Sequence, residues 1–187
     1  NASADQLMIA CWNANNILSD NVPLSVENIF NEGCADAALL QEVRSLNEVD
    51  IVAASPTLRM FRNLERDGTA IVVNSAWSKQ CAWTRSGQQN TAVMIHRDGQ
   101  KLLFICVYLP DSVKSVGVFE DAVNELDGVL EEIWTSDPWN SICIAGDLNC
   151  EMVPVVGVLG HNCSGISWSN REGLLLDLSQ KTSSWMK

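Results

Sequence analysis

Four apolar stretches of strand length in this chain each run out into polar residues. The first covers residues 7–13 and closes on Cys11-Trp12-Asn13, and the second, residues 37–41, ends in Gln41-Glu42. The third, residues 101–109, leads into Tyr108-Leu109-Pro110-Asp111, and the fourth, residues 141–145, is followed by Gly146-Asp147-Leu148-Asn149. Short, nearly continuous apolar runs are the mark of strands buried on both faces, as in helix-clad sheets. In open α/β sheets the ligand crevice lies outside the carboxyl ends of the strands. Any one of these exits is ordinary: a solvated Asn or Glu, a strand tyrosine with an exposed hydroxyl, an Asp-x-Asn turn. Four in this order are much less frequent by chance.

The remaining pattern supports an α/β domain. Pro23 and Ser25 lead into a short helix expected over residues 26–32, with Gly33 placed to stop it. Together with the first two strands this is the sequence form of a βαβ crossover. Residues 69–74 are a β-branched run. Residues 91–96 and 101–109 flank Arg97-Asp98-Gly99-Gln100 and predict a hairpin, Asp-Gly being a strong tight-turn signal. Val116, Phe119, Val123, Leu126, Val129, Leu130 and Ile133 have helical spacing over residues 116–135, and Asp137-Pro138 ends that helix. A glycine-rich loop then runs to Ser169, and a helix is expected from Arg171 to Ser179. Between residues 45 and 66 only a strand near 58–61 is legible. There is no repeat, linker or low-complexity segment. With 187 residues, 47% hydrophobic and 19% charged, the chain is expected to form a single domain over residues 1–187, with mixed sheets and covering helices.

The formal net charge of −11 repels a polyanion at long range. This argues against a passive nucleic-acid-binding module, but not against an enzyme that meets phosphate through bound cations. No apolar run approaches the roughly 20 residues that cross a bilayer, so no membrane span is expected, and no signal peptide is visible at the start. The seven cysteines are odd in number and include no CxxC pair, and no convincing zinc set is present. Cys11, Cys106 and Cys143 sit inside apolar strands. They are expected to be buried free thiols, which points to a reducing intracellular compartment.

The polar residues at the strand ends suit metal-assisted phosphodiester cleavage. Glu42 offers a hard oxygen ligand to Mg²⁺, a cation that keeps several of its waters. Asn13 and Asn149 are neutral amides that can orient a metal ligand or donate to a phosphate oxygen without repelling it. Asp147 can orient or deprotonate the attacking water, and Tyr108 can donate to the phosphate. Such sites act by positioning and by neutralising developing charge.

Trp12-Asn13, Gln41-Glu42, Gly68-Thr69-Ala70-Ile71-Val72, Tyr108-Leu109-Pro110 and Gly146-Asp147-Leu148-Asn149 together resemble the motifs of the endonuclease/exonuclease/phosphatase superfamily, the deoxyribonuclease I-like and apurinic endonucleases. Asn170-Arg171-Glu172-Gly173, followed by Leu174 to Leu178, looks like the loop and helix of non-LTR retrotransposon endonuclease domains. The resemblance covers nearly the whole chain. It implies two packed mixed β-sheets flanked by helices, a four-layer α/β sandwich. It also implies that Glu42 is the principal ligand of Mg²⁺ (or Mn²⁺), with Asn13 beside it. Tyr108 is implied to contact the scissile phosphate, Asp147 to align the water or stabilise the leaving group, and Asn149 to hold a phosphate oxygen. Nucleic acid is the implied partner of an active enzyme.

The family pattern continues with a Trp-bearing strand, an Asp-bearing strand and a Ser-Asp-His, whereas the present sequence stops at Trp185-Met186-Lys187. The last strands of the sandwich are therefore expected to be missing. His96 is expected at a surface strand end and His161 in the glycine-rich loop, neither in a Ser-Asp-His context. A general base typically contributes about 10²–10⁴ in rate, so its absence sets a second reading beside the enzyme. In that reading the chain is a non-catalytic, nuclease-like subunit with a protein partner covering the open sheet edge. A phosphatase or lipid phosphodiesterase of the same superfamily ranks third, because nothing resembles a dedicated inositol or lipid pocket.

Overall fold

Strands that are apolar on both faces need cover on both faces, and the chain supplies it by stacking one sheet on another and a helix outside. The computed structural model describes residues 7–15, 22–43, 51, 55–62, 68–111, 113–150 and 170–185. The glycine-rich loop to Ser169, His161 and most of residues 45–66 lie outside these. Two compact units are present: Asn1–Tyr108 with Asn140–Asp147, and Leu109–Trp139 with Leu148–Lys187.

The first unit holds two four-stranded mixed sheets. One contains β1 (Ile9–Asn13), β2 (Ala37–Gln41), β3 (Leu58–Arg62) and β4 (Ala70–Asn74) in the order β1-β2-β4-β3. The other contains β5 (Cys81–Ser86), β6 (Asn90–Arg97), β7 (Gln100–Tyr108) and β8 (Ser141–Asp147) in that order. The parallel pairs are β1 with β2 and β7 with β8. Helix α1 (Val22–Asn31) connects β1 and β2, the expected crossover.

Period-two alternation sorts the side chains. Ala37, Leu39, Ile71 and Val73 meet Val93, Ile95, Phe104 and Cys106 in the core between the sheets. Ala38, Leu40, Ala70 and Val72 face the other way and pack with Val22 and Val26 of α1. The expected hairpin is present between β6 and β7. Asp98 and Gly99 both have positive φ, 51° and 76°, as a type I′ turn requires.

Several boundaries differ from expectation. Helix α1 starts at Val22 because Pro23 fits within a first turn, where its missing N–H costs nothing. A short helix, α2 (Ser75–Ser78), capped by the Asn74 side chain, and strand β5 were not anticipated. Cys11 is exposed and Cys143 half-buried, and only Cys106 is fully buried. The reason is topological: Cys11 and Cys143 lie on β1 and β8, each the outer strand of its sheet.

In the second unit, helix α3 (Val116–Ser136) is capped by Ser115, whose Oγ accepts from Val118 N–H at 3.4 Å. It buries Phe119, Val123, Leu126, Val129, Leu130 and Ile133 as its spacing predicts, but leaves Val116 exposed in the first turn. Helix α4 spans Asn170–Trp185, six residues beyond the expected end at Ser179. Its polar final turns are stabilised by Thr182 Oγ1, which donates back to Leu178 O and Ser179 O at 3.1 and 3.0 Å. Buried Arg171 holds the loop before α3: it donates to the carbonyls of Pro110, Asp111 and Lys114 at 3.0, 3.0 and 2.8 Å. Its guanidinium also lies over the Phe119 ring.

Candidate active site

Strand register brings the predicted residues of the first unit to one end of the sandwich. Asn13 is paired with Gln41, so Glu42 sits one step past the end of β2. Tyr108 is paired with Asp147 across β7 and β8, which puts their side chains on the same sheet face. That pairing needs glycine at 146. Its φ is +151°, and a Cβ there would lie 1.9 Å from the carbonyl oxygen of Val107.

One amide gathers the carboxylates. Asn13 Nδ2 donates to Glu42 Oε1 at 3.1 Å and to Asp147 Oδ2 at 2.9 Å. Its Oδ1 accepts from Asn15 N–H at 2.8 Å, which turns the NH₂ group toward both acids. Glu42 takes a left-handed backbone, φ 55°, a conformation costing about 1–3 kcal/mol for such a residue. Neighbouring ladder bonds hold it there: Ala14 N–H to Gln41 O at 2.9 Å and Val43 N–H to Gly68 O at 3.0 Å.

Beneath these residues the two sheets are linked by polar side chains. Gln41, only 1% exposed, donates through Nε2 to Cys106 Sγ at 3.1 Å and to Leu39 O at 3.1 Å. The Cys106 thiol donates to Leu40 O at 3.2 Å. Thr69 and Thr91 Oγ1 atoms are 2.8 Å apart. Together with the Asn13–Asp147 bond, these polar links join the two sheets at the end where the candidate residues lie.

Asn149 lies in the second unit, with φ 47°. There its Nδ2 donates to Leu109 O at 2.7 Å. His96 is exposed near the far end of β6, six residues from Asn90 and hence about 20 Å along the strand.

No protein-family model matches the sequence and no curated protein does. Solved structures do. The endonuclease domain of TRAS1, a telomere-specific non-LTR retrotransposon, superposes with a TM-score of 0.62 at 14% identity, over 95% of this chain and 71% of that one. The AP endonuclease LMAP from Leishmania major gives 0.58 at 14% identity, over 96% and 66%. Humanized D. rerio TDP2 gives 0.56 at 17% identity, over 77% of this chain and 63% of the TDP2 chain. This chain has the deoxyribonuclease I-like fold. It spans under two thirds of that TDP2 structure.

Within the deoxyribonuclease I-like fold the donor set of the first unit fits a hard divalent cation. Two carboxylates from different sheets share one amide, and both are half-buried. Among the described residues no group of three or more His, Cys, Asp or Glu side chains is arranged to hold a metal.

Neither Cys106 nor Cys11, the two thiols that meet Gln41, is poised as a nucleophile. Burial pushes the Cys106 thiol up to about 12. The Cys11 residue is exposed, yet its Sγ turns toward Gln41. Burial of that thiol raises its pKa, and the nearby Asp147 charge raises it further. Gln41 and Cys106 were given no role by the sequence. A visible signal existed, namely an amide inside the otherwise apolar run of residues 37–41, which must find a partner.

Proposed function

We propose that this chain is a divalent-metal-dependent phosphodiester hydrolase of the endonuclease type, acting on nucleic acid. The observation that carries the proposal is the single Asn13 amide donating to Glu42 and Asp147, with Tyr108 in register beside Asp147. Glu42 is the principal ligand for Mg²⁺ or Mn²⁺ and Asn13 the residue that orients it. The bound cation supplies neutralisation of the charge that develops on the phosphoryl oxygens. Asp147 orients, and accepts a proton from, the attacking water. Tyr108 donates to the scissile phosphate. Asn149 is proposed, on its Gly-Asp-x-Asn motif, as the donor to a phosphate oxygen. The neighbours are described as an endonuclease domain and an AP endonuclease, which supports this class of chemistry here.

The test is nicking of supercoiled plasmid with Mg²⁺ or Mn²⁺. Wild type is expected to cleave, and Glu42→Gln to lose at least about 100-fold in rate, the scale of one aligned catalytic group. Wild type inert with both cations, or Glu42→Gln fully active, overturns the proposal.

A second reading, a non-catalytic nuclease-like subunit, is favoured by one observation. Every residue of the outer strand β1 is at least partly exposed, Met8 beside it is 41% exposed, and an apolar hollow lies between Met8, Ile9, Ala10, Ile29, Gly33 and Ala35. A protein partner on that edge would add a strand. Light scattering showing a stably folded monomer of this chain counts against this reading.

A further inference from the structure

The core between the sheets is apolar except at one end, where Gln41 and Cys106 meet. Replacing both members together by apolar groups of the same shape would be nearly neutral for stability, because a buried hydrogen bond contributes little net of the water bonds it replaces. What such a pair does supply is direction. Gln41 precedes Glu42, and Cys106 lies two residues before Tyr108. The amide donates to the thiol, and the thiol donates back to the carbonyl of Leu40 on β2. The two bonds fix both the spacing and the register of β2 against β7 directly under the site. Asn13 reaches two acids on different sheets, so it tolerates little sliding between them.

We propose that Gln41 and Cys106 are positioning residues, which set the separation of Glu42 from Tyr108 and Asp147 and thereby hold the Asn13 amide between its two carboxylates. The idea rests on the function proposed above, but part of its test is independent of it. The thiol must both accept and donate, so serine should substitute for Cys106 and valine should not.

The experiment compares Gln41→Met, Cys106→Val and Cys106→Ser with wild type by three readouts. These are thermal midpoint, the Asn13 side-chain amide protons in metal-free NMR spectra, and Mn²⁺ affinity by calorimetry. Cys106→Val is expected to stay folded, with a midpoint below that of wild type because the buried Gln41 amide loses the acceptor for one of its N–H groups. It should also lose the slow exchange of the Asn13 amide protons and bind Mn²⁺ about tenfold more weakly, the usual effect of removing an outer-shell partner. Gln41→Met should behave likewise. Cys106→Ser should retain both properties even if its midpoint falls. Asn13 signals unchanged in Gln41→Met and Cys106→Val overturn the proposal, and so does equal loss in Cys106→Ser. If wild type binds no Mn²⁺, the functional reading fails, and the metal-free Asn13 signals decide this proposal on their own.

Discussion

At the residue scale, the site depends on a glycine as much as on its acids. Because a Cβ at Gly146 would meet the Val107 carbonyl at 1.9 Å, Gly146→Ala must push β8 off β7. A loss of about 3 kcal/mol or more in denaturant unfolding is expected, the upper range for point substitutions, with Asp147 displaced. A midpoint unchanged from wild type would show that β8 closes on β7 without help from this position. Cys106 gives a pH signature. Its thiol is held neutral in the fold, with its pKa raised from 9.0 to about 12, whereas the unfolded chain ionises it above 9.0. The contribution is therefore fully present below pH 9.0 and is lost as pH rises toward 12, at about 1.4 kcal/mol per unit. Unfolding free energies across that range should fall less steeply in Cys106→Val. Asn13, Glu42 and Asp147 were legible in the sequence because a polar residue closing an apolar run has only the strand end to occupy. The partners of Gln41 and Cys106 were not, because they meet across two sheets whose register no local pattern records. Cys11 misled for a related reason: an apolar run looks the same on an outer strand as on a central one.

At the scale of elements, strands and helices with strong periodicity were placed to within a few residues. The misses have physical causes. Strand β5, Cys81–Ser86, carries Thr, Arg and Ser without a clear alternation. The end of α4, Lys181-Thr182-Ser183-Ser184, looks like a polar tail, yet it is fastened to α3. Lys181 Nζ lies 2.7 Å from Asp127 and 2.6 Å from Glu131. Hydrogen bonds to Asp127 and then Glu131 raise the lysine's pKa above its ordinary 10.5. This stabilisation is accordingly complete below 10.5 and disappears as pH rises through the raised value. With about a third of each of the Lys181 and Asp127 side chains exposed and Glu131 more so, Lys181→Met should cost under about 1 kcal/mol, less in high salt. A loss of several kcal/mol in thermal or denaturant unfolding would mean the link is shielded from water.

At the scale of the whole molecule, the charge of −11 makes association with a polyanion depend on cations, and the proposed activity is a cation-dependent one. The two-sheet architecture followed from the sequence, since each apolar run needed two covered faces. The helical spacing of residues 116–135 says which face of that helix is apolar and not where that face goes. The Asp98-Gly99 turn has a wider consequence. It joins β6 to β7 with two residues, whereas the parallel pairs wait on crossovers spanning residues 14–36 and 109–140. Loop closure is slower and costlier for the longer spans, so this hairpin is the natural nucleus and the rim that holds Asn13, Glu42 and Asp147 is the last part to be assembled. Gly99→Ala introduces no clash, only an unfavourable φ of +76°, which makes it a clean kinetic probe. In stopped-flow measurements it should slow refolding while leaving the unfolding rate nearly unchanged, and the reverse pattern would place the nucleus elsewhere. A chain caught early on this route would already own most of its second sheet and none of its chemistry.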